Sequence, residues 1–205
     1  MSKLFTLQDF ESHRIISELL ATGAASVHLL SEDFRLALLQ EAQSYPYTPE
    51  AEVVGTGNQT VRQQLGSFAC FPENAHYIRL RETFQNLLDE HLASLETYPF
   101  ATKLELNSMV LQKYEQGSLG ITPHRDRLSS INLVCIFNIG GQGRFCVCED
   151  RSGSHAKVID SSPGSVIFLR APGFMSSPER PFHYVTDIQA TRYTFGLRQK
   201  AMPKR

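Results

Sequence analysis

Apolar positions recur every three to four residues in three runs of the first half of the chain. FTLQDFESHRIISELLATG stops at Gly23, SEDFRLALLQEAQSY opens on Ser31, a residue type that caps helix starts, and ENAHYIRLRETFQNLLDEHLASL carries the longest stripe. Three helices are therefore predicted before residue 96. Between the second and third, YPYTPEAEVVGTGNQTVRQQLGSF is polar and contains glycine and short β-prone pieces, which predicts a loop or irregular hairpin. From Lys103 the period changes to short β-rich runs: LELNSMVLQKYE, INLVCIFNIG, GRFCVCED, AKVIDSS, GSVIFLRA, FHYVTDI and RYTFGLRQK, set apart by turn signals such as GGQG and SPG. Seven or eight short strands suit a sandwich or jelly roll, and the helices supply a layer over one side. The expected class is α+β, with a helical layer over 1–98 and a jelly-roll core over 103–200 in one domain of 1–205, since no linker, repeat or low-complexity segment divides the chain.

Composition narrows the setting. A chain of 205 residues can bury about 70% of its unfolded surface and needs no disulfide. Cys70, Cys135, Cys146 and Cys148 form no C-x-x-C pair and read as structural. The N-terminal MSKLFTLQDFESHR has no uninterrupted apolar core, and no segment approaches the ~20 apolar residues of a membrane span. A soluble, cytoplasmic, reducing setting is the expectation. With 20 Lys+Arg against 21 Asp+Glu, the net charge of −1 gives no global argument for a polyanionic partner.

The segment ITPHRDRLSSIN, residues 121–132, holds the candidate chemistry. Its His124-Arg125-Asp126 resembles a kinase catalytic loop, but no glycine-rich loop, strand lysine or D-F-G follows, and Asn132 lies one place too far along. His-x-Asp fits better as half a metal site, because the period of two on a strand sends His124 and Asp126 to one face. A third ligand is needed. His183, in the strand-like ERPFHYVTDI, is preferred over His155 in the turn-like RSGSHAK, and two His with one carboxylate make the facial triad used by non-haem Fe(II). His13, His28, His76 and His91 read as surface or packing residues. In TRYTFGLRQK, Arg192 and Arg198 share a face with Thr194 and Gly196, while Tyr193, Phe195 and Leu197 take the other. Two inward arginines each need an anion, and a dicarboxylate between them would serve both.

Taken in order, these elements resemble the Fe(II)/2-oxoglutarate-dependent dioxygenases, closest to the AlkB-like branch. The likeness spans residues 104–200: QKYEQGSLGITPHRD, with Gln112 and Tyr114 where that branch has an Asn-x-Tyr pair; INLVCIFNIGGQGRFCV; SPGSVIFLRAP; RPFHYV; and the closing RYTFGLR. It implies a double-stranded β-helix with Fe(II), 2-oxoglutarate and O2 as cofactor and co-substrates. It also implies His124, Asp126 and His183 as metal ligands, Arg192 at the far carboxylate, Arg198 nearer the metal and the 1-carboxylate, and Tyr114 and Gln112 as further 2-oxoglutarate contacts. With Asp126 present, hydroxylation or oxidative demethylation is implied, with release of succinate and CO2.

Three functions follow: an oxygenase of a small molecule, an AlkB-like demethylase of nucleic acid, and a metal-binding jelly roll without catalysis. The first is favoured by the balanced charge. Nucleic acid would need a basic groove with aromatic stackers, for which Arg62, Arg79, Arg81, Tyr47 and Tyr77 are scattered candidates, as are Lys200, Lys204 and Arg205 in the tail. Substrate contacts are expected from residues 45–75 and from LRAPGFMSSPER, which holds Met175.

Overall fold

The computed structural model describes residues 4–201. In chain order its elements are α1 (Ser12–Thr22), β1 (Ala24–His28), α2 (Glu32–Ser44), the short strands β2 (Thr48–Pro49), β3 (Val53–Val54), β4 (Val61–Arg62) and β5 (Gly66–Phe68), then α3 (His76–Ala93). There follow β6 (Ser108–Tyr114), β7 (Ile121–His124), β8 (Ser130–Cys148), β9 (Lys157–Ile159), β10 (Ser165–Arg170) and β11 (Phe182–Lys200). The class is the α+β one expected, with a mostly antiparallel sheet in a jelly-roll arrangement.

The three helices lie where the apolar stripes put them. In α3 the buried Tyr77, Leu80, Phe84, Leu87 and Leu88 are three, four, three and one apart, one face of a 3.6-residue period. Helix α1 ends on Gly23, whose φ of 80° is the left-handed cap conformation and whose N–H donates to Leu19 O at 3.0 Å. Ser31 does occupy the N-cap of α2, but its side chain makes no capping bond; Glu32 and Asp33 in the first turn complement the helix dipole instead.

Two strands differ from expectation in a way that builds the site. GGQG is not a turn between two strands: β8 runs unbroken for 19 residues, and β11 likewise joins FHYVTDI to RYTFGLRQK over 19. Straight strands of that length would reach about 60 Å, longer than a compact domain of this size is wide, so both must bend. They bend together. Their mutual register shifts between Thr186, Ala190 and Tyr193, opposite Arg144, Gln142 and Gly140. At the bend Gly141 has φ 82°, and a Cβ there would stand 2.0 Å from Thr191 O. Before it, β8 pairs with β10 and the later half of β11 with β6; beyond it, β8 pairs with β9 and the earlier half of β11 with β7. One hydrogen-bonded sheet thus folds over into two facing layers.

The larger layer takes the order β1-β10-β8-β11-β6-β5-β2. Three of its strands, β1, β2 and β5, come from the first part of the chain, so residues 1–98 contribute to the sheet as well as to the helical layer. Alternation splits its side chains: Cys135, Phe137, Phe168, Tyr193, Phe195 and Leu197 pack under the helices. Val134, Ile136, Ile167, Leu169, Val185 and Tyr114 face the space between the layers. The four cysteines are free thiols. Among the described residues no helix is long and apolar enough to cross a membrane.

Candidate functional site

The candidate ligands come together at one end of the space between the layers. Register pairs His183 of β11 with His124 of β7, and their ring centroids are 4.4 Å apart. Asp126, just past β7, places Oδ2 3.8 Å from His183 Nε2 and accepts from Arg198 Nε on Oδ1 at 3.2 Å. Both imidazoles are held by backbone carbonyls, which can only accept. His124 Nδ1 donates to Thr122 O at 2.9 Å, and His183 Nδ1 to Pro181 O at a longer 3.4 Å. Each Nε2 therefore keeps its lone pair.

Electrostatics keep this donor set ready for a cation. Burial lowers the His183 pKa to about 3, with His124 adding to the effect and Asp126 opposing it. Burial also lowers that of His124, against the pull of Asp126. Burial pushes Asp126 upward, but Arg198 first, then His183 and His124, outweigh it and bring the carboxyl to about 2. At neutral pH the trio is two neutral imidazoles and a carboxylate. Among the described residues no three His, Cys, Asp or Glu side chains are already closed to metal-ligand spacing. The donor chemistry nonetheless fits a divalent ion: among the described residues Asp126 Oδ2 is buried without a hydrogen-bond partner, close to two imidazoles whose Nε2 lone pairs are free, and a buried acceptor is left unpaired only at a cost.

The second feature is Arg192. It is 0% exposed, and its Nε, Nη1 and Nη2 have no hydrogen-bond partner among the described residues. Burial lowers its pKa to about 10, against a raising influence from Tyr114. Even so it is charged at neutral pH, with five donor hydrogens unmatched. It lies over Gly143, where an added Cβ would be 3.3 Å from Nη1. Tyr114 stands opposite Arg192 in the β6–β11 ladder, and Gln112 opposite Thr194; the Tyr114 hydroxyl is 3.5 Å from Gln112 Oε1. Arg198 folds back along its own strand over Gly196, where a Cβ would meet its Nη1 at 2.8 Å. Arg198 thus lies back along β11 while holding Asp126.

All seven candidates, His124, Asp126, His183, Arg192, Arg198, Tyr114 and Gln112, therefore lie on strands or a strand end around this one space. His155 is exposed, with φ 49° in a turn, and His13, His28 and His76 are also exposed. His91 packs edge-on against Phe10 and bonds Ser12. Of the scattered nucleic-acid candidates, Tyr77 is fully buried and cannot stack on a base, Arg79 lies over Phe34, and Arg81 pairs with Glu82. Lys204 and Arg205 fall outside the described residues. From the 45–75 segment, the Arg62 N–H donates to Thr122 Oγ1, so β4 lies against the strand that carries His124; Leu65 joins the interlayer cluster. Met175 is exposed in a loop with φ 47°.

Three arginines at the rim lie outside the roles the motifs assign. Arg125 sits 4.0 Å over the Phe182 ring and Arg151 5.6 Å from it, while Arg180 Nη1 donates to the backbone oxygen of Asp126. Phe182 in RPFHYV was the available signal, since an aromatic next to a candidate ligand offers a platform for a guanidinium.

Solved structures share this architecture. A prolyl-4-hydroxylase from Pseudomonas putida superposes with a TM-score of 0.66 at 13% identity, over 92% of this chain and 98% of that one. A prolyl hydroxylase from Trichoplax adhaerens, in complex with a hypoxia inducible factor oxygen degradation domain peptide fragment, gives 0.67 at 14%, over 92% and 88%. An oxidoreductase of the 2OG-Fe(II) oxygenase family from Burkholderia pseudomallei gives 0.57 at 16%, over 97% and 95%. The fold is that of the 2-oxoglutarate/Fe(II) oxygenases. No protein-family model matches the chain, and no curated protein sequence does. These neighbours carry the broad resemblance drawn from the motifs and do not single out its AlkB-like branch.

Proposed function

We propose that the protein is an Fe(II)- and 2-oxoglutarate-dependent oxygenase acting on a small molecule, nearest in its motifs to the AlkB-like branch. One observation carries the reading: a fully buried guanidinium whose three nitrogens have no partner among the described residues shares an interlayer space with a carboxylate oxygen equally without one there and with two imidazoles. An unpaired buried cation is costly, and a dicarboxylate is the ligand that would satisfy it while leaving its other end for a metal. The shared fold supports it.

His124, Asp126 and His183 would hold the iron. The bound iron would supply the chemistry by which O2 gives one oxygen atom to 2-oxoglutarate, yielding succinate and CO2, and the other to a substrate C–H bond, yielding the alcohol. The chain's own part is positional. Arg192 would take the far carboxylate, which would fix the length of an acceptable co-substrate; Arg198 holds Asp126 in its anionic state and would also serve the 1-carboxylate; Tyr114 and Gln112 would add polar contacts. Thr122 O and Pro181 O keep both imidazoles in the tautomer with Nε2 free. The neutral imidazoles ask for no proton release when a metal enters.

Incubation with Fe(II), ascorbate and 2-oxoglutarate should release succinate even without substrate, and pyruvate, which lacks the far carboxylate, should not replace 2-oxoglutarate. Metal retention with no oxoglutarate turnover would instead leave a non-catalytic jelly roll.

A further inference from the structure

The rim of the proposed metal site is strongly cationic although the chain as a whole is not. Arg125 stands between the two proposed ligands His124 and Asp126, and Arg180 lies three residues before His183. Arg151 opens the turn after β8 and acts electrostatically on His124. Two of these guanidinium groups share one ring, with Arg125 stacked 4.0 Å over Phe182 and Arg151 5.6 Å from it. Arg180 is close enough to Arg125 for the two charges to oppose each other, and it reaches the backbone oxygen of Asp126.

The acids next to them in sequence are engaged elsewhere. Asp150 gives Oδ1 to Ser152 and Ser154 in its own turn; Glu179 pairs with Arg170 at 2.8 Å; Asp126 accepts from Arg198. Among the described residues none of the three rim arginines has a carboxylate partner. Like charges gathered without counter-ions are unfavourable in the free protein, and Phe182 holds two of them, Arg125 and Arg151, against one ring. Both features suit a surface that receives a multiply charged anion, because a fork of guanidinium donors matches phosphate oxygens and its alignment is already settled.

We propose that Arg125, Arg151 and Arg180 recognise a phosphate monoester on the small-molecule substrate. The group rests on the outer lip while the reacting carbon reaches over it to the iron. The placement fits the backbone: Phe182 precedes His183 in β11 and so takes the opposite face of that strand, and Arg125 is exposed just past the end of β7. A phosphate fits this lip better than a carboxylate because three cations converge and a phosphate monoester is close to doubly charged at neutral pH. The proposal rests on the oxygenase reading for its substrate, but the anion site can be read separately.

The test is equilibrium dialysis of the full chain, loaded with Mn(II) and 2-oxoglutarate without oxygen, against phenyl phosphate, benzoate and benzyl alcohol. A 20-nucleotide single strand is added as a fourth probe, and wild type is compared with Arg125→Gln/Arg151→Gln. Both substitutions are at exposed positions, and circular dichroism checks that the variant is folded. Phenyl phosphate should bind wild type at least tenfold more tightly than benzoate or benzyl alcohol, and the double variant should lose at least tenfold. Equal binding by wild type and variant overturns the site. Benzoate binding as well as phenyl phosphate overturns the phosphate assignment. Oligonucleotide binding tighter than phenyl phosphate and falling steeply with salt overturns the small-molecule source. Binding of 2-oxoglutarate to Mn(II)-loaded wild type is measured on its own: its absence removes the oxygenase reading, while the phenyl phosphate result still decides the anion site.

Discussion

Burial lowers the pKa of Arg192 and of both imidazoles alike, but with different outcomes at neutral pH. Burial makes the guanidinium costly and the imidazoles neutral. Replacing Arg192 by Met, an apolar side chain of similar length, should therefore raise the Tm of the ligand-free protein by a few degrees, at about 2–4 °C per kcal/mol for a chain of this size. The same change should raise the apparent KM for 2-oxoglutarate at least about tenfold, since a charge-assisted contact of about 1.5–3 kcal/mol is lost. Differential scanning fluorimetry and succinate assays read the two effects; a lower Tm would mean that Arg192 is structurally paired. For the imidazoles the folded-state pKa lies below the ordinary value, so folding favours the neutral form. Their contribution is intact at neutral pH and is lost as pH falls below the ordinary histidine range. A site of two ordinary histidines near 6.5 would lose about a hundredfold in metal affinity between pH ~7.5 and ~5.5. Here Mn(II) titrations should show less than about a tenfold loss, and a hundredfold loss would contradict the buried, neutral pair. The meeting of His124, Asp126 and His183 was legible in the sequence because H-x-D stands at a strand end and R-x-x-H-x-V runs into a strand; Thr122 O and Pro181 O were not, because any residue type supplies a carbonyl.

At the scale of elements, the two long strands carry the design. Their halves were readable from alternation, and the parity that sent Arg192 and Arg198 to one face and Tyr193, Phe195 and Leu197 to the other holds in the structure. Their continuity was not readable: GGQG has the composition of a turn, and only pairing with β11 makes it a bend within a strand. Two glycines separate stability from function. Gly141→Ala would force a side chain into φ 82° and against Thr191 O, so a loss on the order of 3 kcal/mol should appear as a Tm several degrees lower. An unchanged Tm would show that the bend relaxes freely. Gly196→Ala meets only the far end of Arg198 and the Val110 methyl, at 2.8 and 3.3 Å. It should leave Tm within a few degrees while weakening 2-oxoglutarate binding, because Arg198 must move off its path to Asp126. Equal binding by Gly196→Ala and wild type would remove that path from the account.

Across the whole molecule, the net charge of −1 concealed how the charges are distributed. Arg125, Arg151 and Arg180 are far apart in sequence and converge only when β7, β11 and the turn after β8 meet, so no local run announced them. The helical layer was legible from its periodicity and the β-prone pieces after α2 as an irregular hairpin, whereas β1 was hidden because its five residues lie between two helices, and the joining of β2 and β5 to the main sheet is long-range pairing that no local run announces. What joins all scales is one claim: the space between the layers takes a dicarboxylate between Arg192 and a metal. The direct measurement is titration calorimetry of 2-oxoglutarate without oxygen, with and without Mn(II), on wild type and on His183→Ala. Wild type should bind one 2-oxoglutarate per chain and bind it much more tightly with the metal present, and His183→Ala should lose that metal dependence. Binding that is absent, or equally tight with and without Mn(II) in wild type, would contradict the account.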